Sequence, residues 1–140
     1  MNQAWEVFAT LMYKQTWDRY NETYDAKCYT ECIALVESLI ADRMKSFANE
    51  ISSSSKYSYL TLERLVEYFS GKKQTPLLNE GINQTIDKIK VWKDSRNKAI
   101  QEIAKLSEDL SETFEQKYSE LSQIADKGRE LFNELNNEIR

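Results

Sequence analysis

The amino-acid sequence predicts an all-α protein, an up-down bundle of four to five helices that ends in a long C-terminal helix. Apolar side chains recur at steps of three and four residues along most of the chain, as they do on the buried face of a helix. One Pro and three Gly in 140 residues leave few positions that would end a helix. β-Branched residues do not alternate with polar ones, so no strand is predicted. The length suits one domain, which we assign to residues 1–140.

Two helices are predicted in the first third of the chain. The first covers residues 2 to about 19, whose aromatic residues fall at helical spacing. The polar residues 21–23 predict a break, with Asn21 as the N-cap of the second helix. The second helix runs from about residue 22 to 51 and ends at the serines of residues 52–55, because serine favours side-chain bonds to the backbone over helix. Its apolar positions are Tyr29, Cys32, Ile33, Val36, Leu39, Ile40, Phe47 and Ile51.

A short third helix and a longer fourth helix follow. The third covers about residues 60–70, and Gly71 lies just past its end, where glycine is common. Thr75-Pro76 predicts the start of the fourth helix, because Thr is a good N-cap and Pro suits the first helical position. The apolar face of this helix extends to Trp92.

The C-terminal part of the chain leaves several arrangements open. Asp94-Ser95 can cap a fifth helix, or the fourth helix bends there and continues. Residues 96–138 contain no Pro and only Gly128, and unbroken they would form a helix on the order of 60 Å long at about 1.5 Å per residue. That length exceeds a compact domain of this size. We therefore expect either that residues from about 111 to 140 project as an extension and pack on another subunit, or that the chain folds back near Gly128.

The composition excludes several kinds of chemistry. The chain has no His, so it has no imidazole acid or base, no Ser-His or Cys-His nucleophile and no imidazole metal ligand. Cys28 and Cys32 are interpreted as small core thiols in a reducing compartment. Carboxylates such as Glu102 and Glu108 are interpreted as a solvated helix face. We expect no metal and no cofactor.

Charge and hydropathy limit the partners of the chain. The net charge is −4, which is not the balance of a general nucleic-acid-binding protein, so contact with phosphates needs a local basic patch. No apolar run approaches the ~20 residues that a membrane span needs. The N-terminal residues lack the basic start and apolar run of a secretory signal. We expect a cytoplasmic protein without membrane contact.

One segment near the end of the predicted fourth helix combines groups able to bind a phosphate. Arg96 offers a planar fork of donors, Asn97 can orient it, and Lys93 and Lys98 add positive charge. Gln101 lies about 140° round a helix from Arg96, so the two side chains are not adjacent unless the first turn is distorted. From the spacing alone, the favoured interpretation is a solvated basic turn in which Arg96 pairs with a carboxylate.

The same segment resembles the signature of HEPN domains, which are all-helical nucleotide- or RNA-binding domains of toxin–antitoxin, abortive-infection and other defence systems. The family pattern is an Arg, often followed by Asn, and then a His a few residues later. Residues 34–43 resemble the family's second helix, and the order of two long helices, a short one and a motif helix is similar. The resemblance covers about residues 20–110. The matching segment reads Trp92-Lys93-Asp94-Ser95-Arg96-Asn97-Lys98-Ala99-Ile100-Gln101-Glu102-Ile103.

The resemblance implies a helical bundle that forms a homodimer, with two Arg-containing motifs facing each other across a cleft. Active members are metal-independent endoribonucleases in which the Arg and the His act on the scissile phosphate. Arg96 and Asn97 match the pattern, but Gln101 stands where the His belongs, and an amide cannot transfer a proton near neutral pH. Glu37 resembles an acidic position of the family's second helix and is the candidate partner of Arg96.

Three functions remain open. The favoured one is a HEPN-like protein of a defence or toxin–antitoxin type system that binds RNA or a nucleotide with little or no cleavage. Such a protein could also bind a cognate partner protein. The second is a structural or protein-interaction bundle with no nucleic-acid role, in which Arg96 is a salt-bridged cap. The third is a metal-independent endoribonuclease in which another residue, for instance Glu102, replaces the His.

Overall fold

The computed structural model confirms the all-α fold class. It describes residues 3–53, 56–72, 78–105 and 111–139, and within these ranges it contains five α-helices and no strand. The helices are α1 (Gln3–Asp25), α2 (Tyr29–Ser52), α3 (Leu62–Ser70), α4 (Glu80–Lys105) and α5 (Ser111–Ile139), with a 3₁₀ turn at Lys56–Tyr59 between α2 and α3. No described helix is long and apolar enough to cross a membrane.

Helix α5 packs against both α2 and α4. It runs antiparallel to α4, since Trp92 Nε1 donates to the carbonyl oxygen of Ile124 at 2.8 Å and Thr85 Oγ1 lies 3.0 Å from Glu134 Oε1. Helix α1 packs antiparallel on α2. The core lies between these four long helices and extends under α3. Its largest fully buried side chains are Tyr20, Phe69, Ile33, Ile40, Met44, Leu65, Ile86, Ile89, Leu131, Leu135, Val36 and Thr85.

The predicted break at residues 21–23 is wrong, because α1 continues to Asp25. The hydroxyl of Thr23 donates within the helix, 2.9 Å from the carbonyl oxygen of Arg19, so this polar residue does not end it. The chain turns at residues 26–28, where Lys27 adopts a positive φ of 62°. Cys28 takes the N-cap position of α2 without a capping side-chain hydrogen bond, so Asn21 is not the cap.

The short third helix is confirmed, with the Thr61 side chain as N-cap accepting from the Arg64 backbone N–H at 3.3 Å. Gly71 follows this helix in a right-handed conformation with a φ of −75°, so the backbone at this position does not require a glycine. Thr75-Pro76 lies outside the described residues. Helix α4 passes without a break through Asp94-Ser95, so these residues cap no fifth helix.

One unbroken helix from residue 96 onward is excluded, because α4 ends at Lys105 and α5, which begins at Ser111, packs antiparallel to it. Residues 111–139 are part of the bundle and do not project from it, since α5 contributes buried side chains against α2 and α4. The fold-back at Gly128 is also wrong, because α5 is continuous there.

Candidate functional site

Helix α4 places Arg96 between α2 and α3, with only 13% of its side chain exposed. Its Nη1 donates to Glu37 Oε2 on α2, which is the partner that the resemblance implied. Its Nη2 lies 3.6 Å from Glu63 Oε1 in the first turn of α3. Arg96 therefore joins three helices through two carboxylates.

The sequence did not point to Glu63. An acidic residue in the first turn of a helix is already explained by the helix dipole, so its pairing with Arg96 carries no separate signal in the sequence. Only the packing of α3 on α2 and α4 brings this carboxylate to the guanidinium.

One donor of the Arg96 guanidinium is unsatisfied. Its Nε is buried and has no hydrogen-bond partner in the described part of the chain. A buried donor without an acceptor costs about 1–3 kcal/mol, so the network as it stands has room for one further acceptor.

Glu37 is the ionisable group most affected by this packing. Burial raises the pKa of its carboxyl, the nearby Arg96 lowers it, and the Glu63 carboxylate raises it again. The net direction is upward, so burial outweighs the ion pair. Among the described residues, Glu37 thus combines partial burial, a fixed cationic partner and a raised pKa beside the motif.

The remaining motif residues lie on different sides of α4. Lys93 is largely buried about 60° round the helix from Arg96, and its Nζ lies 3.6 Å from Asp94 Oδ1. Asn97 is half-buried at about 100°, so it borders the same side. Lys98 and Gln101 are exposed at about 200° and about 140°. Lys93 and Asn97 are therefore on the side of α4 nearer to Arg96, and Lys98 and Gln101 are on the side farther from it.

Lys98 instead lines a groove between α4 and α5. The groove was not predicted from the sequence, because it depends on the antiparallel return of α5 along α4. The groove has a volume of about 670 Å³. Its lining residues are Asp87, Lys88, Val91, Trp92, Ser95, Lys98, Ala99, Glu102, Lys117, Glu120, Gln123, Ile124 and Lys127.

Glu102, the suggested replacement for the catalytic His, lies in this groove and not beside Arg96. Its carboxylate contacts the ammonium of Lys117, which also lies 3.1 Å from Glu120 Oε2. These two hydrogen-bonded carboxylates raise the pKa of the Lys117 ammonium. Arg96 and Glu102 project about 120° apart on α4, so they do not face one phosphate within a single chain.

The other polar candidates serve packing or solvent contacts. Cys32 is buried and its Sγ lies 3.1 Å from Thr23 Oγ1, whereas Cys28 is exposed, so its assignment to the core is wrong. Burial raises the pKa of the Cys32 thiol, which disfavours the reactive thiolate. Within the described ranges, no group of three or more Cys, Asp and Glu side chains is placed to hold a metal ion.

No family model, no curated protein and no solved structure matches this chain.

Proposed function

We propose that the protein is a HEPN-like member of a defence or toxin–antitoxin type system that binds RNA or a nucleotide through Arg96 and does not cleave it. The observation that supports the proposal is the ion pair between Arg96 and Glu37, which joins the motif helix to the acidic position of α2 that the resemblance singled out. The proposed protein is a cytoplasmic homodimer in which two such sites face one cleft.

A phosphate would bind on the side of Arg96 that Glu63 now occupies. The 3.6 Å contact between Arg96 Nη2 and Glu63 is long for an ion pair, and 45% of the Glu63 side chain is exposed, so this carboxylate can leave without being buried elsewhere. The unsatisfied Nε lies on the same guanidinium and supplies a second donor. Glu37 stays in place and holds the guanidinium in position, while Lys93 adds positive charge.

The proposal excludes cleavage because the site has no group for proton transfer in the place of the family's His. Gln101 carries an amide, projects about 140° away from Arg96 on α4, and is exposed. Arg96 alone can stabilise charge on a phosphate but cannot move a proton, since a guanidinium stays protonated.

Fluorescence anisotropy with a labelled single-stranded RNA of mixed sequence tests the proposal. Arg96→Lys keeps a cation beside Glu37 but loses the fork, and we expect binding weaker by about tenfold, a difference of about 1.4 kcal/mol. Wild-type binding should weaken as salt rises, and the RNA should remain intact on a gel. Lys90→Gln, a loss of an exposed charge on the same helix, is the matched control.

Two results would contradict the proposal. If the wild-type protein shows no salt-sensitive affinity for RNA or for a panel of nucleotides, the proposed binding role is wrong. If Arg96→Lys and Lys90→Gln bind RNA with equal affinity, Arg96 does not take part in binding. Metal-independent cleavage that Arg96→Lys abolishes would instead favour the endoribonuclease.

A second function, protein interaction through the bundle surface, is favoured by a separate observation. Arg96 already contacts two carboxylates, in a chain with a net charge of −4, so its charge is largely compensated without a ligand. If the protein has this second function, Arg96 serves only to join helices, and the RNA assay should give no binding for wild type or any variant.

A further inference from the structure

The groove between α4 and α5 has the size and surface of a small-molecule site. Its volume of about 670 Å³ falls within the ~300–1,000 Å³ typical of ligand pockets. Its apolar wall is formed by Val91, Trp92, Ala99 and Ile124. Val91, near the middle of α4, is 66% exposed, so its side chain is accessible to a ligand.

The apolar wall has its own polar atoms satisfied. The Trp92 indole N–H donates to the Ile124 carbonyl oxygen at 2.8 Å, which fixes the ring and joins the two helices across the groove. Gly128 permits this packing, because a Cβ there would lie 2.8 Å from Trp92 Cζ2. The wall is therefore held in place without a ligand, and a ligand needs no polar group along it.

The charges of the described residues around the groove leave one cation available. Those lining residues include four lysines and three carboxylates, a net charge of +1 in a chain whose net charge is −4. Lys117 contacts Glu102 and Glu120, and Lys88 Nζ lies 2.8 Å from Glu134 Oε1. Lys127 is 3.5 Å from exposed Glu130. Lys98 forms no ion pair with any described residue, so its ammonium is the one that can meet an anion without losing a partner.

We propose that the groove binds an amphipathic monoanion, a free molecule with an elongated apolar body and a single carboxylate. The body lies on Val91, Trp92 and Ile124, and the carboxylate pairs with Lys98. A single negative charge suits a lining with a net charge of +1, whereas a polyphosphate would meet the three carboxylates. Val91 and Lys98 project about 140° and about 160° away from Arg96 on α4, so the bound carboxylate would lie apart from the proposed RNA site.

Titration of the full chain with 11-(dansylamino)undecanoic acid tests this site through dansyl fluorescence. We expect saturable binding that Lys98→Gln weakens about tenfold, while the methyl ester of the probe, which lacks the charge, binds both proteins equally. Val91→Asp should weaken both probes, since it places a charge on the apolar wall. The position is exposed, so the fold tolerates this change.

Lys90→Gln is the matched control, because Lys90 is exposed on the same helix but does not line the groove. Equal affinities of Lys98→Gln and Lys90→Gln for the acid, or no saturable binding, would overturn the proposal. If the protein co-sediments with phosphatidylglycerol vesicles and Lys98→Gln weakens this, the groove binds a lipid surface, and the proposal of a free ligand is overturned. Arg96→Lys should leave dansyl binding unchanged, so failure of the RNA site does not affect this test.

Discussion

Arg96 illustrates how a buried ion pair links a sequence motif to the stability of the fold. Its guanidinium is mostly buried against Glu37, so removal of one partner leaves the other charged and poorly solvated. Removal of both partners leaves no such charge. The two changes should therefore differ in the size of their effect on stability, and a structural test of the pair does not depend on any ligand.

We expect Arg96→Met to lower the free energy of unfolding by about 2–3 kcal/mol, somewhat less than the ~3–5 kcal/mol for breaking a fully buried pair. The double variant Arg96→Met/Glu37→Met should lie within about 1 kcal/mol of wild type, because similar volume replaces both charges. Urea unfolding followed by circular dichroism measures both. Arg64→Met, which removes an exposed arginine 3.8 Å from Glu67, is the control and should change little. An Arg96→Met variant as stable as this control would contradict the ion pair.

We expect Glu37 to make the stability of the fold depend on pH. Burial raises the pKa of Glu37 above its ordinary value of 4.5, so the folded state holds this proton more tightly than the unfolded state. The stabilisation is present below that ordinary value and is lost as pH rises through the raised pKa. We expect carbon-13 NMR of the Glu37 carboxyl to give a titration midpoint above 4.5.

The same effect should be visible in stability. The free energy of unfolding of wild type should fall relative to that of Glu37→Gln as pH rises from the ordinary pKa of 4.5 through the raised pKa, because the variant has no proton to lose there. A midpoint below the ordinary value would show that Arg96 outweighs burial, and the stability difference would then change in the opposite direction.

At the scale of the helices, the sequence predicted apolar stripes better than it predicted where helices end. The stripe of α2 from Cys32 to Phe47 is buried as expected. The predicted helix ends were wrong where a polar residue can either cap a helix or lie within one. Thr23 forms its hydrogen bond inside α1, and Asp94 lies on the surface of α4 instead of capping a helix. Side-chain hydrogen bonds of this kind depend on tertiary packing, so local pattern alone does not decide between them.

Gly128 is an element-scale feature whose role became clear only from packing. A Cβ at this position would lie 2.6 Å from Val36 Cγ1 and 2.8 Å from Trp92 Cζ2, which is closer than real contacts allow. Glycine therefore lets α5 approach α2 and α4 at the same level. From the sequence alone, Gly128 indicated only a position where a helix can end.

We expect Gly128→Ala to destabilise the fold by about 1–3 kcal/mol, because overpacking exceeds the gain of ~1 kcal/mol in helix propensity. Gly81→Ala is the matched control, since the three atoms nearest to its added methyl all belong to the flexible carboxylate end of Glu138. That variant should be as stable as wild type or slightly more. Urea unfolding of both proteins measures the difference, and equal stabilities would show that α5 can shift without cost.

At the scale of the molecule, the predicted site divided into two surfaces on opposite sides of one helix. Glu37 was named as the candidate partner of Arg96 through the resemblance alone, and the structure pairs the two side chains. The groove was not foreseen, because it needs α5 to return along α4. Val91 and Ile100 mark the two surfaces, since they are nine residues and therefore about 180° apart on α4.

The homodimer of the proposed function makes opposite predictions for these two apolar residues. Ile100 is 41% exposed and lies about 40° from Arg96, so a dimer that brings two Arg96 motifs together should cover it. We expect Ile100→Asp to give the monomer mass in sedimentation equilibrium and to weaken RNA binding, because a carboxylate would be buried at the interface. Val91→Asp changes an equally apolar residue on the groove side and should keep the dimer mass. A monomeric wild type would remove the homodimer, and with it the facing arginines, from the proposal. Loss of the dimer in Val91→Asp but not in Ile100→Asp would place the subunit contact on the groove side and contradict the facing arginines as well.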